Sequence, residues 1–168
     1  GKGGVNYILK QSHGISLPDK MREEMSYTAK RVSDQAHQEL TPEWIYQIFC
    51  DNYINVDKKF HITECHFVQE DGIQAKATVE SEGRTAVING QGNGRLDAVS
   101  NAIRSYLDVD YELVDYEQHS LTKGSSSKAV SYVSITKDGQ TFWGVGIDED
   151  IIKSSYQALE VAVNKILD

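Results

Sequence analysis

Two Gly-x-Gly pairs set the frame of this chain. Gly90-Gln91-Gly92, which runs on through Asn93 to Gly94, recurs 54 residues later as Gly144-Val145-Gly146. Each pair follows a run of extended character (Arg84 to Asn89, then Thr141 to Trp143). Each precedes a run of helical character (Arg95 to Leu107, then Asp150 to Leu167). Turn signals repeat in step, with Asp71-Gly72 and Glu82-Gly83 before the first pair and Lys123-Gly124 and Asp138-Gly139 before the second. Such dipeptides between alternating runs signal hairpins, so the chain reads as two copies of strand, strand, strand, helix. A glycine corner lets the backbone turn sharply and come close to a ligand. The helix behind it aims unpaired amides and its positive dipole end at the same point, which suits a carboxylate or a phosphate. One such corner is weak evidence, since many merely turn a strand into a helix; the second copy gives it weight.

Within the first copy, Phe60 to Gln69 forms one strand. Ile73, Ala75, Ala77 and Val79 alternate on the next, Thr85 to Asn89 make the third, and Leu96, Val99, Ala102, Ile103 and Leu107 line a helix. The second copy opens at Val109, with Tyr111 and Leu113 alternating, followed by the polar and aromatic stretch Asp115 to His119. Thr122 to Ser127 reads as a flexible turn, better taken as an exposed loop than as a ligand contact. Ala129, Ser131, Val133 and Ile135 share a strand face, Lys137 to Gln140 make a tight hairpin, and Ile151, Ser155, Ala158, Leu159, Ala162 and Ile166 line the last helix. The expected fold is α+β: two pseudo-symmetric βββα units with mostly antiparallel strands and helices on one side. Each unit alone leaves its sheet half covered, so a pseudo-twofold arrangement or a dimer would complete the burial.

The pattern changes from helical to extended near Asn52 to Lys58. This places a helical linker subdomain at 1–55 before a second domain at 56–168. Gly1 to Gly14 fits either a short strand (Val5, Tyr7, Leu9) or a short helix (Val5, Ile8, Leu9). Tyr7 and His13 read first as surface residues. Leu17-Pro18 starts a helix with Met21, Met25, Thr28, Val32 and Ala36 on one face. Thr41-Pro42-Glu43 starts another, with Thr41 as N-cap and Trp44, Ile45, Ile48 and Phe49 inward. Two such helices bury little alone and should lean on something else.

A net charge of −8 with both signs interspersed argues against a nucleic-acid partner. No apolar run reaches membrane-span length and no signal peptide opens the chain. Beginning with Gly1 rather than Met, it reads as a fragment or a processed chain. Cys50 and Cys65 read as reduced thiols, which fits the cytoplasm. The five histidines form no metal pattern, and on a regular strand His61 and His66 would face opposite ways. Nucleophile elbow and phosphate-loop signatures are also missing. Binding is favoured over chemistry.

Gly1-Lys2-Gly3-Gly4-Val5, Tyr7-Ile8, His13-Gly14 and Leu17-Pro18 resemble the linker region of the 2-isopropylmalate synthases. Gly90-x-Gly92-Asn93-Gly94, Asp115-Tyr116-x-x-His119 and Trp143-Gly144-Val145-Gly146-Ile147-Asp148, with Ala158 and Asn164, resemble their C-terminal regulatory domain. The resemblance runs along nearly the whole chain. It implies an enzyme that condenses acetyl-CoA with 3-methyl-2-oxobutanoate, the first committed step of leucine synthesis, on a barrel holding a divalent metal. That barrel and its His-x-His are not in this sequence, so the fragment itself would be non-catalytic and hold no cofactor. What remains would be a homodimerising domain that binds L-leucine for feedback inhibition.

Carried over by residue, the leucine pocket would involve Gly90, Gly92, Asn93, Gly94 and Leu96, then Tyr116, Ala129 and Ser131, then Gly146, Ile147 and Asp148. The ligand carboxylate would meet backbone amides at a glycine corner, and its ammonium would meet carbonyls or Asp148. Leu96, Tyr116 and Ile147 would hold its side chain. Asp148 is equally well read as the N-cap of the last helix. Ser120, Lys128 and Ser131 stand where many relatives carry small apolar residues, which would make the pocket wall more polar. Tyr7 would reach a partner subunit's active site. Two other readings stay open: the same domain from a citramalate synthase, sensing isoleucine, and a dimerisation scaffold without a ligand.

Overall fold

The structure, a computed structural model, describes residues 2–121 and 127–167. The Lys123-Gly124 turn and most of the serine-rich loop lie outside the described residues. Three helices lead the chain: α1 (Lys2–His13), α2 (Asp19–Ala36) and α3 (Pro42–Tyr53). Two repeats follow. The first is β1 (Phe60–Gln69), β2 (Ile73–Ser81), β3 (Arg84–Gly92) and α4 (Arg95–Leu107). The second is β4 (Glu112–Ser120), β5 (Ala129–Lys137), β6 (Gln140–Asp148) and α5 (Ile151–Asn164). Each repeat forms its own antiparallel sheet, in the orders β1-β2-β3 and β4-β5-β6. The architecture is α+β with two βββα units, as the 54-residue period implies.

Turn chemistry fixes the register. Glu82-Gly83 and Asp138-Gly139 both take positive φ (53° and 74°; 52° and 76°), the left-handed pair that a two-residue hairpin needs. They close the pairs Ser81–Arg84 and Lys137–Gln140. In the helical segment, the Thr41 hydroxyl accepts the Trp44 amide at 3.1 Å, so α3 is capped as its sequence requires. Helix wins at the amino end: Leu9 is fully buried, and Val5 and Ile8 are packed against the same cluster, which is the i, i+3, i+4 solution. His13 is half-buried and stacks on Tyr46, with ring centroids 4.0 Å apart.

The apolar faces divide into two clusters. The first joins the inner face of the β1-β2-β3 sheet (Phe60, Ile62, Ala77, Val79, Ile88), one face each of α4 and α5, and Val133 and Ile135 of β5. The second joins α1, α2 and α3 to Val130, Tyr132, Trp143 and Val145 on the opposite face of the β4-β5-β6 sheet. The expectation of helices on one side therefore holds for the first sheet only. The second is covered on both faces, and for this reason β5 is buried from Ala129 to Ile135.

Two irregularities were not visible in the sequence. The β1–β2 register shifts between Ile62 and Glu64. The bulge resets the alternation, so Phe60 and Ile62 point inward before it and Cys65 and Phe67 after it. His61 and His66, five residues apart, consequently share the solvent face instead of opposing each other. A like shift between Leu113 and Asp115 divides β4.

Between the repeats, α5 anchors β1. Asn164 Oδ1 accepts the Lys59 and Phe60 amides at 2.7 and 3.0 Å, and its Nδ2 donates to Phe60 O at 2.8 Å. The carboxylate of Glu160, 1% exposed, accepts the Ile62 amide and meets Lys58 and His61 at 3.1 and 3.0 Å. Buried peptide groups at the start of β1 are thereby satisfied from the other repeat.

Candidate functional site between two helix N-termini

The glycine pairs are not corners. Gly90 and Gly92 lie within β3, Gly144 and Gly146 within β6, and both strands run two or more residues past the expected ends. A Cβ on Gly90 would overlap the Ala98 carbonyl and sit 2.5 Å from the Ala102 amide of α4. A Cβ on Gly144 would overlap the Ala158 carbonyl of α5, and one on Gly146 the Ser154 carbonyl. The close approach that these glycines permit is to their own helices, whose backbones occupy the space a side chain would need. The repeat is thus a device for laying each helix flat on its last strand.

This packing carries the two helix starts to one place. A cleft of about 770 Å³ is lined by Gly94 to Asp97 at the start of α4, by Leu113, Tyr116 and Gln118 of β4, and by Glu149 to Ile152 at the start of α5. The β4 side chains reach it because Leu113, Tyr116 and Gln118 pair with Ile135, Val133 and Ser131, on the sheet face toward α5. The Tyr116 hydroxyl donates to Gln118 Oε1 inside the cleft. Ile151 and Tyr116 are 55% and 43% exposed at its mouth.

The two helix ends differ in chemistry. Gly94 is the N-cap of α4, at φ −139° and ψ 175°, with no side chain to accept the first-turn amides and no heavy atom within 4 Å of a Cβ placed there. The Arg95, Leu96 and Asp97 amides have no acceptor within the helix. Asp97 turns back to accept the Asn93 amide at 3.0 Å. The start of α5 is closed by Asp150, whose Oδ1 accepts the Ile152 and Lys153 amides at 2.9 and 3.3 Å. The α4 side of the cleft therefore offers first-turn N–H groups at a helix dipole, beside the Asp97 carboxylate, and the α5 side brings Glu149 and Asp150 into the lining. A zwitterion with an apolar side chain matches that pairing.

Of the residues singled out in the sequence, Gly94, Leu96 and Tyr116 line the cleft, with Asn93 beside it. Gly90, Gly92 and Gly146 stand behind it, against the helices. Ser131 is fully buried, its hydroxyl 2.7 Å from that of Ser154, and so it stands beneath the first turn of α5 rather than in the wall. Ala129 lies at the start of β5. Ile147 packs with the α1–α3 cluster, on the opposite sheet face. Asp148 is not the N-cap: its Oδ1 accepts the Asp150 amide at 2.9 Å, and its Oδ2 lies 3.9 Å from Lys153 Nζ. Tyr7 is 63% exposed on α1. Sequence reasoning passed over Leu113, Gln118, Glu149, Asp150, Ile151 and Ile152. Asp150 was legible, because an Asp directly before an apolar-periodic run is a start signal. Among the described residues no group of histidine, cysteine and carboxylate side chains is placed to hold a metal ion, and no helix is long and apolar enough to cross a membrane.

A family model described as "LeuA allosteric (dimerisation) domain" matches residues 39–167. The chain is 42% identical over 176 residues to a 2-isopropylmalate synthase of Helicobacter hepaticus, covering 99% of this chain and 32% of that protein. It is 44% identical over 168 residues to one of Desulfitobacterium hafniense (99% and 30%), and 32% identical over 173 residues to one of Rhizobium meliloti (100% and 31%). The chain thus spans about a third of the length of the curated relatives it matches. A repeat of two βββα units whose helix starts converge on one cleft, with this match across both repeats, places the chain in the LeuA allosteric (dimerisation) domain family.

Proposed function

We propose that this chain is the leucine-sensing, dimerising part of a cytoplasmic 2-isopropylmalate synthase. The chemistry, condensation of acetyl-CoA with 3-methyl-2-oxobutanoate, belongs to a catalytic barrel elsewhere in the same polypeptide that uses a divalent metal. The observation that carries the proposal is the pairing of an uncapped helix start with an acidic one across a single cleft. L-Leucine sits with its carboxylate at the amides of Arg95 and Leu96, behind Gly94 and Asn93. Its ammonium faces Asp150 and Glu149, and its isobutyl group packs among Leu96, Leu113, Tyr116 and Ile152. Gly90, Gly92 and Gly146 hold the helices close from behind, Ala129 and Ser131 support the floor, and Asp148 orders the approach to α5 instead of contacting the ligand. Ile151 and Tyr116, apolar and exposed at the mouth, fit closure of the cleft by the second copy of a homodimer.

Calorimetric titration of L-leucine into the wild type and Asp150→Asn tests the assignment. Asparagine keeps the capping oxygen and removes the charge. Loss of one charge-assisted contact, about 1.5 kcal/mol, should weaken binding about tenfold; equal affinities would reject the carboxylate's role. Tyr7, exposed on α1, is proposed to reach the partner subunit's active site. Tyr7→Phe in the full-length enzyme should change turnover or leucine sensitivity, and the proposal fails if both stay unchanged.

A further inference from the structure

One strand touches both the cleft and the helical layer. Among the described residues β4 is an edge strand, paired only with β5. The bulge at Leu113–Asp115 sets its later side chains in strict alternation. Tyr116 and Gln118 face the cleft, while Asp115, Glu117 and His119 pair with Ser134, Tyr132 and Val130 and face α1–α3. The Asp-Tyr-x-x-His signature therefore belongs to two surfaces.

The helical side of β4 is joined to the segment between α1 and α2. His119 Nδ1 lies 2.8 Å from Ser120 O, an acceptor, so Nδ1 carries the ring proton and Nε2 is left as an acceptor. Nε2 faces the Tyr132 hydroxyl at 2.7 Å and the Ser16 amide at 3.4 Å. Burial pushes the Tyr132 hydroxyl well above its ordinary range, which keeps it a donor. Asp115, held by the Ser134 hydroxyl at 2.7 Å, meets Lys20 of α2 at 3.5 Å. Ser16 lies between Ile15 and Leu17, both buried in the α1–α3 cluster. Any shift or stiffening of β4 is thus delivered to a rigidly packed segment, not to a free loop.

We infer that β4 is the coupling element of this domain: occupancy of the cleft at Tyr116 and Gln118 is transmitted across the strand, through His119, to Ser16 and the helical layer. His119 is a positioning residue here, and the inference rests on the cleft being the leucine site. An edge strand has the freedom for this role, since half of its backbone groups have no ladder partner. Leucine that favours one arrangement of β4 over another supplies the thermodynamic basis of the coupling.

Amide hydrogen exchange read by mass spectrometry, with and without saturating L-leucine, tests the inference in wild-type protein, His119→Gln and His119→Phe. In the wild type, leucine should slow exchange at 93–97 and 150–153 and also change it at 14–18, outside the cleft. His119→Phe should keep the first response and lose the second, and His119→Gln, which retains an acceptor, should restore it. A response confined to the cleft in the wild type overturns the coupling and leaves the leucine site standing. No response in either region overturns the leucine site itself. A response at 14–18 that survives in His119→Phe removes His119 from the route. The wild-type comparison decides the coupling even if the phenylalanine variant does not fold.

Discussion

Replacing Gly144 by alanine tests whether the glycine pairs exist for helix packing. The added Cβ would overlap the Ala158 carbonyl oxygen and lie 2.7 Å from the Ala162 nitrogen and 2.9 Å from Val161 Cβ. Two of the three atoms belong to the α5 backbone, so no side-chain rotation relieves the clash, and the helix must retreat by about 1 Å in a close-packed interior. It is held against retreat at both ends, by the Ser131–Ser154 hydroxyl pair and by the Asn164 and Glu160 contacts to β1. Overpacking costs about 1–3 kcal/mol and belongs at the upper end here. Relief of glycine's unfolded-state entropy returns about 0.4–1 kcal/mol. The net loss is about 2 kcal/mol, a fall of about 4–8 °C in Tm for a chain of this size. Urea unfolding followed by circular dichroism reads it, with Gly94→Ala as the control: that site has no atom within 4 Å and a negative φ, and it should change by less than about 1 kcal/mol. Gly144→Ala and Gly94→Ala of equal stability would refute the packing role.

Asn164→Ala strips the acceptor from two amides and the donor from one carbonyl at the start of β1, and should cost about 3 kcal/mol in the same urea assay. Lys165 donates to Trp143 O at 2.6 Å and lies over the Tyr53 ring, where burial lowers its pKa to about 8. The unfolded chain binds the extra proton between that value and the ordinary one. Wild-type stability should therefore climb relative to Lys165→Met from about pH 8 to about pH 10, by about 2–3 kcal/mol in urea titrations, with the trend fading out by about pH 7. Asp148→Asn, which keeps an acceptor for the Asp150 amide, should leave leucine affinity within about twofold in calorimetry, in contrast to Asp150→Asn.

What could be read from the sequence was local or periodic. The hairpins at Glu82-Gly83 and Asp138-Gly139 were legible because positive φ at two successive residues has a residue-level signature. The Thr41 cap and the 54-residue period were legible for the same kind of reason. α1 was ambiguous because Val5, Ile8 and Leu9 choose helix only against α2 and α3, a tertiary decision. The bulges in β1 and β4 leave no mark in composition, so the shared face of His61 and His66 was missed. The glycine pairs were read as corners and lie within strands, because a strand glycine under a helix and a loop glycine over a ligand look alike in sequence. Of the eleven ligand residues carried over from the resemblance, the cleft takes Gly94, Leu96 and Tyr116 directly. Strand parity sends Ile147 to the other sheet face, toward α1–α3.

Thermal unfolding across a series of L-leucine concentrations, with L-isoleucine, L-valine and D-leucine beside it, tests the central claim most directly. A ligand at about 100 times its Kd adds about 2.7 kcal/mol, or about 5–10 °C for a chain of this size. The predicted result is a saturable rise with L-leucine, absent with D-leucine, whose carboxylate and ammonium cannot meet the α4 start and Asp150 together with the side chain in place. A rise with L-isoleucine in its stead would assign the cleft to a different effector. A flat response to all four, in a folded dimer, would contradict the sensor and leave a scaffold.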